Sequence, residues 1–485
     1  MRHCSKGIVA AGLAATLGFA PATLAGEPSP GGSTDPNLDA LLARLNELER
    51  AIATLQEPTP ANRATPAAEP AAKPATDSNK LGTKWSGGLQ FANEDKSIVV
   101  KLGGRIQVDG NWLQEDRDVR LLGPGTQADG VEFRRARLVV DAVAHEHFIF
   151  KAEYDFATTA TAVGSVGPPA TTTTFGSPGF KDVYIGVTKL PGVSPVIRTI
   201  RVGHMYEPFG LEEQTSSKYI TFLERSTING FNPSRNTGIR FDGGVSGIGE
   251  FVDLVWGTGI FREVGDQGFM TNDGSYAWTT RFAAKFGLGE DHRFLHVGLD
   301  LSLRSPPGHA RRYRDNRELH LASRVTSTGT VAARSESVAG LELALTWGCV
   351  SVQAEGFRSV LEQPGSSTLD DLEFWGAYAF VSVFLTGESR PYKGGLYQRV
   401  KPANPVFDEG YGAWEVALRV STLDHADQTV RGGRVNNVTL AVNWYLTANL
   451  RVMCNYLYED ARDAFVGGTR SGRIHGFGTR VAVDF

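Results

Sequence analysis

The sequence predicts an all-β fold: a sixteen-stranded antiparallel transmembrane β-barrel, preceded by a short N-terminal coiled-coil helix and a Pro/Ala-rich linker. Three observations carry that reading. Polarity alternates with a period of two through most of the chain after Lys80. The connections between strands alternate between tight turns and long loops. Mean hydropathy is only −0.19, and after residue 25 there is no run of about 18 apolar residues, so helical membrane spans are excluded. A barrel needs apolar residues on its outer face alone, which keeps the average low.

Composition agrees. The 485 residues include 56 Gly, which suits many short strands and turns. Aromatic content of 10% argues against general disorder. A net charge of −4 gives no basic footprint for nucleic acid, and 3 Cys cannot build a disulfide scaffold. Arg2, His3 and Lys6, then apolar Ile8 to Ala20, then small residues at Ala22 to Ala25 read as a signal peptide over 1–25. Cys4 falls within its basic region. Cys349 and Cys454 fall in apparent strands, as buried or lipid-facing thiols.

Residues 36–56 carry Leu38, Leu45 and Ile52 at heptad position a and Leu41, Leu48 and Leu55 at d. Every seam position is filled, the pattern of a coiled coil. At under three heptads it is marginal alone and needs subunits held together elsewhere; a helix packed on its own barrel is the other reading. Residues 57–80, rich in Pro and Ala, read as a semi-rigid linker, and the barrel domain spans 81–485.

Within that domain Phe148, Phe150, Ala152, Tyr154 and Phe156 share one strand face, and Lys151, Glu153 and Asp155 the other. Leu138 and Val140 oppose Arg135, Arg137 and Asp141, and Val481, Val483 and Phe485 oppose Arg480 and Asp484. Sixteen such strands run from near Ser97 to Phe485. Tight turns fall near Glu146, Pro191, Gly247, Gly289, Gly348 and Thr447. Longer links cover about 114–130, 157–180, 208–236, 262–275, 305–335, 361–371, 425–432 and 461–470. Long loops at one end and short turns at the other is the outer-membrane pattern. One connection, 387–410, is long where a short turn is expected.

With the strands placed, GGRIQVDGNW, RRARLVVDAVAHEHFIFKAEYDF, EPFGLEEQTSSKYITFLERS, FLTGESRPY, GAWEVALRVSTLD and NNVTLAVNWYLTANLRVMCNY stand in an order that resembles the outer-membrane porins O and P, the phosphate and polyphosphate porin family. The terminal Phe485 looks like the aromatic that such barrels present for assembly. The resemblance implies a homotrimer with three separate pores in the outer membrane and phosphate or polyphosphate as solute; separately, the N-terminal segment is expected in the periplasm. The resemblance also implies an inward third loop, here 208–236, with Lys218, Arg225 and Arg235 as constriction candidates. The coiled coil and the Thr/Gly/Pro-rich loop near 157–180 depart from the family pattern.

Alternation assigns the lumen face. It carries Lys101, Arg105, Arg135, Arg137, Lys151, Arg201, Arg240, Arg281, Lys285, Arg304, Arg419, Arg451 and Arg480 against twelve carboxylates. Of these Arg135, Arg137, Lys151, Arg201, Arg240, Arg281, Lys285 and Arg419 are the pore-lining, anion-binding candidates, because guanidinium forks match phosphate oxygens. The other reading makes each a structural partner of a cross-strand carboxylate. After residue 80 the chain holds 42 Lys+Arg and 45 Asp+Glu, a balance that argues for a mixed pore.

Arg304, Arg311, Arg312, Arg314 and Arg317 crowd one long loop, either to funnel anions, to grip phosphates of outer-membrane lipid, or as a solvated surface. His145 and His147 lack a third ligand, so no metal is expected, nor any cofactor. GxSxG, HExxH and P-loop motifs are absent, and no catalytic residue is assigned. Expected partners are outer-membrane lipid and small anionic solutes. The alternatives are a general or cation/organic-solute porin with a structural periplasmic tether, or an outer-membrane enzyme.

Overall fold

The structure, a computed structural model, describes residues 81–485 apart from 86, 123–125, 158–159, 164–171, 176–177, 191, 193–195, 250, 266–267, 269, 272–273, 366–369 and 466–469. The signal peptide (1–25), coiled coil (36–56) and linker (57–80) lie outside the described residues.

The barrel strands are β1 Ile98–Glu115, β2 Gly130–Ala144, β3 Phe148–Asp155, β4 Gly179–Thr188, β5 Ile197–Tyr206, β6 Arg235–Ile248, β7 Val252–Arg262 and β8 Tyr276–Leu288. They continue as β9 Glu290–Arg304, β10 Ser335–Trp347, β11 Val350–Glu362, β12 Leu372–Phe384, β13 Ala413–Asp427, β14 Val430–Tyr445, β15 Leu450–Phe465 and β16 Arg470–Asp484. Each pairs antiparallel with its neighbours, and β16 closes on β1 with Ile474 opposite Glu115 and Asp484 opposite Arg105. Closure satisfies the backbone groups that an edge would strand in hydrocarbon. The expected sixteen-stranded barrel is therefore present.

Outward positions are apolar and exposed, as at Val438, Leu440 and Val442, while inward Asn437, Thr439 and Asn443 are buried. Aromatic pairs mark both membrane boundaries: Trp112 with Phe477 at 5.8 Å toward the long loops, and Trp414 with Trp444 at 5.2 Å toward the short turns. The β13–β14 and β15–β16 links are tighter than the spacing suggested, because those strands run on past the membrane boundary. Cys349 sits in the β10–β11 turn rather than in a strand; it and Cys454 are free thiols.

A hairpin, Leu81–Trp85 with Leu89–Asn93, precedes the barrel and pairs with β1 at residues 99–102, just below the end of β16. Phe485 exchanges two backbone hydrogen bonds with Gly104, of 2.9 and 3.0 Å, and its ring stacks on Trp85 at 6.3 Å. Glycine is required at 104, since a Cβ there would stand 2.6 Å from the Arg137 carbonyl oxygen and 2.8 Å from the Phe485 ring.

Three connections fold into the barrel: 207–234, 305–334 and 385–412. The last accounts for the anomalous 387–410 link. Its Tyr397, 1% exposed, packs with Phe294 and Leu211 instead of turning back at the membrane surface. In the lumen, Phe209, Phe222, Ile228 and Phe231 of the 207–234 loop pack on Phe357, Phe374, Tyr378 and Phe380, which point inward from β11 and β12. The inner face of β12 is largely apolar because loops, not water, cover it.

Candidate pore lining

With the lumen of β7–β16 largely filled, open space remains along β1–β6. A cavity of about 880 Å³ opens at the short-turn end and one of about 230 Å³ toward the long loops. Arg137, Tyr206 and Arg235 border both. Arg235 stacks its guanidinium 3.7 Å from the Tyr206 ring centre and donates to Asp182 at 2.7 Å. Arg137 donates to Asp155 at 2.7 Å and Glu153 at 3.0 Å. The two arginines shared by the cavities are thus each paired with carboxylates.

Charge in the open space is not balanced. The larger cavity is lined by Lys101, Arg105, Arg137, Lys151, Lys218, Arg235, Arg399 and Lys401 against Asp141, Glu153 and Asp182. The smaller is lined by Arg134, Arg135, Arg137, Lys181, Arg225 and Arg235 against Glu132, Asp155, Glu213 and Glu224. Many of the remaining lumen carboxylates are consumed in the filled half, where they pair with buried cations.

The structure therefore divides the candidate residues. Arg135, Arg137, Lys151, Lys218, Arg225 and Arg235 line the cavities. Arg201, Arg240, Arg281, Lys285 and Arg419 line neither. Arg201 pairs with Asp242; Arg240 holds the Tyr206 carbonyl at 2.8 Å and Gln214 at 3.0 Å. Arg281 forms a bidentate pair with Glu342 and donates to the Gly395 carbonyl, fixing the 385–412 segment. Lys285 faces Asp253 at 3.9 Å. Arg419, fully buried, ties Glu212 of one inward loop to Glu318 of another. Of the arginine-rich loop, Arg304 and Arg311 turn inward onto Glu207, Glu263 and Glu336.

Arg225 lines the smaller cavity yet also staples the loop, donating to the carbonyls of Glu212, Glu213 and Thr215. Glu224 accepts from Arg134, Arg135 and Arg480. Burial pushes its carboxyl up, but these three cations outweigh burial and hold it well below the usual carboxylate range.

Arg134 escaped the alternation argument. Between β1 and β2 the register jumps, Gln107 facing Arg135 and Val108 facing Phe133, so Arg134 is the extra residue of a β-bulge. The bulge turns two consecutive arginines into the lumen. The sequence did carry a signal, since strict alternation would put the Arg134 charge toward lipid. Arg399 and Lys401 were missed because they belong to the anomalous connection.

Lys218 is one of four lysines lining the larger cavity. Burial, and next the Arg105 charge, bring its ammonium down to about 8. It is charged below that value and neutral above it. Chloride selectivity is expected to decline as pH rises from 7 to 9, and Lys218→Gln to remove that step; reversal potentials in KCl measure both.

The chain is similar to several known proteins. The family model described as phosphate-selective porin O and P matches residues 100–482. Porin O of Pseudomonas aeruginosa is 27% identical over 443 residues, covering 84% of this chain and 94% of that one. An uncharacterized protein of Caulobacter vibrioides is 27% identical over 449 residues, covering 89% and 82%. Among solved structures, an anion-selective porin from Comamonas acidovorans aligns at 11% identity and TM-score 0.46 over 80% of this chain and 100% of that chain.

Proposed function

The chain belongs to the family of phosphate-selective porins O and P, and from that premise we propose that this outer-membrane porin passes small hydrophilic anions, phosphate and short polyphosphate among them. The observation that carries the reading is the eight-to-three excess of cationic over acidic side chains around the larger cavity. A ring of fixed charge selects by raising the local concentration of counter-ions and by replacing part of their hydration. Arg134, Arg135, Arg137 and Arg235 offer the planar forks that suit phosphate oxygens, and Lys151, Lys218 and Lys401 supply point charges. Family and fold point to a channel rather than an enzyme.

The deciding experiment is a planar-bilayer recording across a KCl gradient, followed by phosphate titration. Anion-selective reversal with millimolar or tighter phosphate block is expected. Cation selectivity without block would overturn the reading in favour of a general pore.

Assembly as a trimer completes the proposal, with residues 36–56 as a three-stranded coiled coil on the same axis. Deleting 36–56 is expected to lower the temperature at which trimers dissociate on a gel. An unchanged temperature would leave the segment as a tether or a helix of its own subunit.

A further inference from the structure

The long-loop end of the barrel wall carries a second set of arginines, and these face the membrane. Arg434 and Arg462 stand directly opposite one another on β14 and β15, with side chains 55% and 64% exposed. Arg473 on β16, 63% exposed, stands opposite Asp460 on β15. Like charges facing across a strand pair are destabilising unless something anionic joins them. Asp424 and Asp460 do so only in part. Asp424 accepts from Nε of Arg434 at 2.7 Å, and Asp460 from Nε of Arg462 at 2.7 Å.

The row lies on the loop side of the aromatic boundary set by Trp112, Phe477 and Tyr456, which are facing neighbours on β1, β16 and β15. Beside Arg473 the wall is hollowed by about 440 Å³, lined by Gln114, Glu115, Asp116, Tyr456, Arg473 and His475. In a barrel oriented with its long loops outward, this height is that of the outer-leaflet headgroups.

We propose that Arg434, Arg462 and Arg473 form a binding site for the phosphorylated headgroup of an outer-leaflet glycolipid, with the hollow at Tyr456 and His475 receiving its sugar. The three arginines give the phosphates charge-assisted donors, and the two aspartates orient the forks. Arg304 and Arg311 of the arginine-rich loop are committed to the lumen and take no part in this site. The site is separate from the pore lining, so its test is independent of solute selectivity.

The test uses the full-length protein in mild detergent with three probes: bisphosphorylated lipid A, the same lipid with both phosphates removed, and inorganic phosphate. Native mass spectrometry is expected to show bisphosphorylated lipid retained at least tenfold better than the dephosphorylated form. The triple substitution Arg434→Gln, Arg462→Gln, Arg473→Gln is expected to abolish that preference, and the corresponding triple Lys variant to restore part of it. Single-channel conductance, unchanged in the Gln variant, verifies an intact barrel. Equal retention of the two lipids, or undiminished preference in the Gln variant, would overturn the proposal. So would displacement of the lipid by millimolar inorganic phosphate, which would make this a free-anion site.

Discussion

Arg137→Ala is expected to turn the channel from anion toward cation preference and to weaken phosphate block at least ~fivefold. Arg137 borders both cavities and pairs with Asp155 and with Glu153, which Arg105 also holds at 2.9 Å. Its removal subtracts a positive charge where the two cavities meet and leaves Asp155 without its arginine. One unit charge about 4 Å from a solute is worth about 1 kcal/mol even in bulk water, and about 4 kcal/mol at an effective dielectric of 20. The fivefold figure is therefore the floor. Arg281→Ala serves as the contrast: it removes an arginine that the lumen census counted equally, but one buried against Glu342 away from both cavities. Its effect is expected on stability, with reversal potential little changed. If the two variants shifted selectivity alike, the eccentric pore would be wrong and the lumen would conduct around its whole perimeter.

Arg419→Met is expected to be the most destabilising single change in the lumen, costing roughly 3–5 kcal/mol, the range seen when one member of a buried ion pair is deleted. Arg419 is fully buried among Glu212, Glu318 and the Glu224 carbonyl, with its guanidinium 4.2 Å from the Phe222 ring centre. Without it Glu318 keeps only hydroxyl donors, from Ser421 and Thr439, and the backbone N–H of Thr227. Two inward loops lose a common anchor. A lower unfolding temperature by heat-modifiable mobility should accompany larger and noisier conductance, because the 207–234 loop forms one wall of the passage. A double change of Arg419→Met with Glu318→Gln should recover part of the loss, since it removes the stranded charge. An Arg419→Met barrel of unchanged stability and conductance would show that the loops are held by apolar packing alone.

The barrel itself was legible because alternation is a local property. Val438, Leu440 and Val442 must face lipid wherever the strand sits, and sixteen segments with this period leave few arrangements other than closure. The inward loop was legible only through resemblance, since no local pattern in 208–236 says that it folds into a lumen. Even so, Phe209, Phe222 and Phe231 match the inward Phe374 and Phe380 of β12, whose two apolar faces were a readable sign of covered lumen. The long 387–410 link was visible as an anomaly without an explanation, because its destination is set by Phe294 and Leu211, far away in the chain.

The site was half legible. Period-two reasoning separated lumen from lipid for Arg135, Arg137 and Lys151, and failed at Arg134 because a bulge is a fact of pairing between two strands. It could not separate open lumen from filled lumen. The sequence by itself determined that cations and carboxylates share the inner face in near-equal number. Only the tertiary structure decided which of them meet water, since three connections fill one side of the barrel and bury Glu342, Glu355 and Glu415 there, while an excess of arginine and lysine remains along β1–β6. Net charge is a sum over residues, whereas a passing ion feels only the charges near its path, undiminished by partners and screened over a few ångströms of water.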